Sequence, residues 1–171
     1  EQLGLDLNLI QTIDKDAFVT LAELQDLNLV SNLLEVDSFP TDIFKNNTKL
    51  FYLSLDYNHF GTNNKTIPAD WLAKLGPLEN LGTLGLSNNH LTSINLKTFS
   101  SLINLHYLGL SANELTELAD ASIFEGLGNL DYLDLSGNQI EKLSKMSVFS
   151  KLTGLQTLLL YANPIATIEK S

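Results

Sequence analysis

The chain contains no cysteine. That excludes a disulfide framework, a thiolate metal site and a cysteine nucleophile together. Arginine is absent as well: the ten positive charges are all lysine, against twenty Asp and Glu, for a net charge of −10. Nucleic-acid phosphates need cationic partners, so a nucleic-acid role is not expected, whereas a basic partner would be steered toward such a chain. Long apolar runs are lacking too. No stretch approaches the ~18 residues that a membrane span needs, and no membrane insertion is expected within this segment. The opening EQLGLDLNLI has no basic stretch that would mark a signal peptide, and processing ahead of residue 1 stays open.

What is present is a period. Aligned on Leu24, Leu50, Leu81, Leu105, Leu130 and Leu155, the chain repeats LxxLxLxxN, as in Leu24-Leu27-Leu29-Asn32 and Leu105-Leu108-Leu110-Asn113. Residues 1–23 fit as a unit without its first leucine, carrying Leu3, Leu5 and Asn8. The units are 1–23, 24–49, 50–80, 81–104, 105–129, 130–154 and 155–171, read as one domain. Apolar pairs follow at Ile10/Ile13, Leu34/Phe39, Leu91/Ile94, Leu115/Leu118, Ile140/Leu143 and Ile165/Ile168. A phenylalanine column runs through Phe18, Phe44, Phe99, Phe124 and Phe149. The second unit has extra residues before Phe39-Pro40, and the third has a longer insertion between Phe60 and Leu81.

The spacing has a physical reading. In xLxL the leucines alternate with polar or small residues, the pattern of a half-buried strand, and identical units stack such strands into a parallel sheet. The asparagine sits where the chain turns while still buried, so its amide can serve backbone groups the turn leaves unpaired. The phenylalanines lie on the return segment and thicken the core behind the sheet. No unit buries both layers alone, so neighbours must cover each other. Both ends fall inside a repeat and show no polar cap, so the chain is expected to be an excerpt or to lean on something else.

These motifs closely resemble the leucine-rich repeat family, in the type of about 24 residues common in extracellular receptors. The resemblance covers the whole chain. It implies an α/β horseshoe solenoid, with a parallel sheet on the concave face and short helical or irregular segments on the convex face. It also implies a non-catalytic protein-binding module of a receptor or adhesin ectodomain, extracellular or at the cell surface, without cofactor. The alternative is a structural or assembly subunit of a larger complex.

In that family partners dock on the exposed x positions of LxxLxLxx. All five tyrosines, Tyr52, Tyr57, Tyr107, Tyr132 and Tyr161, fall on such positions, and no lysine does. Tyrosine suits an interface because its ring gives rigid contact area while its hydroxyl tolerates water beforehand. High β propensity would collect it there too. The expected contact set is Phe51, Tyr52, Asp56, Tyr57, His106, Tyr107, Asp131, Tyr132, Asp134 and Tyr161, facing a protein of basic character. Gly85, Ser87, Gly109, Ser111, Ala112, Ser136 and Gly137 read either as a shallow trough between the aromatic groups or as residues that turn chemistry selects.

Chemistry is mostly excluded. His106 and Asp131 occupy equivalent places in adjacent units with Ser111 nearby, but an open sheet offers no oxyanion hole, so a surface ion pair is expected. Asp56, Asp131 and Asp134 do not converge as calcium requires. Sequons at Asn46 and Asn64 lie off the concave positions and would be glycosylated only in a secreted eukaryotic chain. Trp71, in the insertion, is expected to be filler, with a second contact point as the rival reading.

Overall fold

The computed structural model describes residues 1–62, 66–143 and 146–168. Each unit contributes one three-residue strand: β1 (Gln2–Gly4), β2 (Asp26–Asn28), β3 (Tyr52–Ser54), β4 (Thr83–Gly85), β5 (Tyr107–Gly109) and β6 (Tyr132–Asp134). After β7 (Lys142–Leu143), which lies outside this sheet, the seventh unit adds β8 (Thr157–Leu159). The sheet is seven-stranded, in the order β1-β2-β3-β4-β5-β6-β8. Every pairing is parallel and places the second leucine of each motif opposite the next, from Leu3↔Leu27 to Leu133↔Leu158.

The LxxLxL leucines of units two to six are enclosed: Leu53, Leu84, Leu108 and Leu133 expose no surface. Behind them stand the phenylalanines. Phe18 stacks on Phe44 at 5.8 Å and Phe124 on Phe149 at 5.9 Å, and Phe99 is completely buried. The return segments are short: 3₁₀ turns at Val36–Ser38, Ala121–Phe124 and Met146–Phe149, and one helical turn, α1 (Trp71–Lys74). One feature was not expected: the returns of the last two units pair as a second, parallel sheet, β7 with β9 (Thr167–Ile168).

Asparagines close the turns. Asn113 donates to Leu86 O and Leu110 O, both at 3.0 Å, and its Oδ1 accepts from Asn89 N and Leu91 N at 3.0 Å. Asn32, Asn58, Asn89, Asn138 and Asn163 bridge to the preceding unit in the same way. The residue before each asparagine has positive φ in all seven units: Leu7, Ser31, Tyr57, Asn88, Ala112, Gly137 and Ala162. Only one is glycine, so the turn holds L-residues where they are disfavoured. What holds them is the ladder, since each N–H through Gly137 donates to the next unit, as in Ala112 N to Ser136 O at 2.8 Å.

The insertion packs inward. Trp71 is buried, meets Phe39 and Phe60 edge-on at 5.6 and 5.3 Å, and donates its indole N–H to Val36 O at 3.3 Å. It is filler, as expected. A large aromatic thereby occupies the space opened by the extra residues of the third unit.

Candidate binding surface

Register fixes which side chains share the solvent face of the sheet. One column reads Gln2, Asp26, Tyr52, Thr83, Tyr107, Tyr132 and Thr157. Tyr107 and Tyr132 are direct partners, and their rings stack at 5.1 Å with 20° between planes. Tyr52 stands two strands away, with the small Thr83 between it and Tyr107. Tyr107 leans along the sheet, for a β-carbon on Gly109 would lie 3.2 Å from its Cε1. Its hydroxyl pKa is raised by partial burial, then by the negative fields of Asp134 and Asp56, with Tyr132 and Tyr52 adding less.

The trough is partly filled by its own neighbours. A β-carbon on Gly82 would lie 2.2 Å from the Phe51 ring, and one on Gly85 would lie 2.5 Å from Asp56 Oδ2. Gly82 and Gly85 are therefore beds for side chains reaching over from the unit before. Asp56 is held there by Ser87 N at 2.6 Å and by the Ser54 hydroxyl at 2.8 Å. Asp134 accepts from Ser136 N at 2.9 Å and from its hydroxyl at 2.6 Å. Both carboxylates are fixed acceptors before any partner arrives, which lowers the ordering cost of using them.

Along the edge where the strands begin, His106 Nδ1 and Asp131 Oδ2 are 2.7 Å apart, and Gln156 donates to Asp131 Oδ1 at 3.0 Å. About half of each side chain of the His106–Asp131 pair is exposed, so it adds little stability in water. Ser111 bonds to the Ser87 hydroxyl at 3.0 Å and takes no part in a triad. Tyr57 and Tyr161 are well exposed, and among the described residues neither stacks on another ring. The sequence set thus resolves into a core of Tyr52, Tyr107 and Tyr132 with Asp56 and Asp134, and outliers at Phe51, Tyr57 and Tyr161.

Two arrangements escaped the sequence reading. Asn80, Asn104 and Asn129 form a second ladder, donating to Thr48 O, Glu79 O and Ile103 O of the preceding units at 2.8–2.9 Å. Their signal was an asparagine directly before Leu81, Leu105 and Leu130. The other is a cleft on the face of β1–β3, lined by Gln2, Leu3, Gly4, Asp26, Asn28, Phe51 and Tyr52. Asn46 is exposed and donates its Nδ2 to Val19 O at 2.9 Å, and Asn64 lies outside the described residues.

The chain belongs to the leucine-rich repeat family, whose model matches residues 1–60, 79–140 and 119–165. It is similar to the chain in the crystal structure of a TLR13–ssRNA13 complex, at 32% identity and a TM-score of 0.81 over 98% of its length. It is also similar to the leucine-rich repeat domain of APL1B, at 25% identity and a TM-score of 0.73 over 99%. It spans 22% and 46% of those chains, respectively. No curated protein matches it. No helix among the described residues is long and apolar enough to cross a membrane.

Proposed function

We propose that these units act together as a non-catalytic recognition module that holds a protein partner of basic character on the concave sheet. The observation that carries this reading is the Tyr107–Tyr132 stack at 5.1 Å, set on strands rather than loops and bordered by the carboxylates of Asp56 and Asp134. Stacked, partly exposed tyrosines give a preorganised contact area that loses little entropy on binding. Fixed acidic acceptors beside them favour a basic surface and speed its approach. Alanine at Tyr107 or Tyr132 should weaken capture of the partner by about 2 kcal/mol, while Lys97→Ala and Lys142→Ala, away from the seven-stranded sheet, should leave it intact. The reading fails if the lysine variants lose the partner and the tyrosine variants keep it.

The TLR13 neighbour is in complex with single-stranded RNA, which makes nucleic acid the rival ligand. Against it stands the face itself, where the tyrosines meet carboxylates and the strands carry no lysine. Filter binding of single-stranded RNA decides between them. Salt-sensitive micromolar retention would overturn the protein reading. An assembly role is tested by sedimentation of the isolated chain, where growth of mass with concentration would favour it over recognition.

We place the protein outside the cell or at its surface, where its leucine-rich repeat neighbours give the receptor-like precedent. Expression through a eukaryotic secretory pathway should then add a glycan at Asn46, seen as a mass shift that Asn46→Gln reduces and that Asn46→Gln with Asn64→Gln removes.

A further inference from the structure

The cleft on the face of β1–β3 differs from the tyrosine stack in shape and in lining. It is a shallow depression of about 450 Å³, open to solvent and large enough to seat one side chain of a partner. Its lining includes Leu3 and Gly4 together with Phe51 and Tyr52, two aromatic residues that stay 51% and 36% exposed. Phe51 is propped by resting over Gly82. Its polar lining is the carboxylate of Asp26 with the amides of Gln2 and Asn28. Asp26 lines the cleft and takes the Gln2 side-chain amide, and Asp6 accepts from Asn28 Nδ2 at 3.1 Å.

No strand of the sheet carries a lysine, and Lys49, which lines the adjoining cleft shared by Asp26 and Phe51, is tied to Glu23 at 2.6 Å. Among the described residues, the lining therefore offers aromatic faces and a carboxylate with no cationic side chain among them, the nearby Lys49 being paired with Glu23. An anionic group would be repelled there. A purely apolar side chain would strip water from Asp26 and return nothing.

We propose that this cleft is a subsite for an arginine side chain of the partner, its guanidinium against Asp26 and its flat face on Phe51 and Tyr52. Guanidinium suits the lining better than ammonium, because it is planar, weakly hydrated, stacks on aromatic rings and forks onto a carboxylate. The proposal rests on the concave-face reading and sharpens it. β2, which carries Asp26, and β5 are three strand spacings apart, so the guanidinium position stands about 14 Å from the tyrosine stack, and the partner carries an arginine at that remove from its main contact.

The test uses a small probe on the intact chain. Acetyl-Gly-Arg-Gly-amide and its citrulline twin, which has the same shape without the charge, are titrated while the backbone amide signals are followed. The arginine peptide should move Gln2, Gly4, Asp26 and Tyr52 saturably and bind at least fivefold tighter than the citrulline peptide. Asp26→Asn should bring the arginine peptide to the citrulline level, and Phe51→Ala should weaken both. Equal binding of the two peptides by the unaltered chain, shifts confined to other residues, or no shifts at all would each overturn the subsite. Tyr107→Ala separates the two readings, since it should leave the peptide bound while weakening partner capture. A cleft that fails while the tyrosine variants still lose the partner would sink the subsite alone.

Discussion

The first unit and the fifth carry the same motif, yet they live in different surroundings. Leu108 and Leu110 expose no surface, and Asn113 sits in a four-bond network that ties its own unit to the one before it. Leu3 and Leu5 are only partly buried, and Asn8 donates only to Leu5 O and Asp6 O of its own unit. The letters are the same. What differs is that, within residues 1–171, the fifth unit is flanked on both sides and the first on one, so burial in a stacked array belongs to the interface between units.

The largest contrast should come from the leucines. Leu110→Ala should cost about 3–4 kcal/mol, because an enclosed site cannot collapse around the cavity, while Leu5→Ala should cost about 1 kcal/mol. Urea unfolding of both variants measures this, and equal losses would mean that the first unit is as well covered as the fifth. Next come the asparagines. Asn113→Ala should cost about 3 kcal/mol, since buried carbonyl and N–H groups lose their partners, against less than about 0.5 kcal/mol for Asn8→Ala, whose groups reach water. A small loss at Asn113 would show that water replaces the amide and that the ladder is not what ties the units together.

The second ladder should rank lower still. Asn104→Ala should cost about 1 kcal/mol, because its amide satisfies one exposed carbonyl, Glu79 O, rather than a buried set. Smallest is the positive-φ turn, where the two regions should agree. Ala112→Gly and Leu7→Gly should each stabilise by less than about 1 kcal/mol, since backbone strain is local and does not depend on how many neighbours a unit has. A gain at Ala112 without one at Leu7 would show that the first turn has relaxed out of the conformation its sequence shares with the fifth.

These contrasts separate what the chain alone determines from what assembly decides. Period-two leucines can only point to one side of a strand, so Leu53, Leu84, Leu108 and Leu133 were legible as core before any contact was known. The same held for the asparagine at each turn, the Phe18-to-Phe149 column, and the pairing of Tyr107 with Tyr132, which follows from equal places in successive units. Trp71 could be read as filler from its size.

Tertiary structure decided what each side chain meets across strands. Asp56 reaches over Gly85 of the next unit, Phe51 over Gly82, and Gln156 joins the His106–Asp131 pair, at separations of 25 residues or more. A repeat pattern states which face a residue occupies, but not how far its side chain leans along that face. The cleft of β1–β3 and the β7–β9 sheet depend on that lean and on the twist between units. The pattern of one unit leaves both undetermined, because they arise from the distance and rotation to the next.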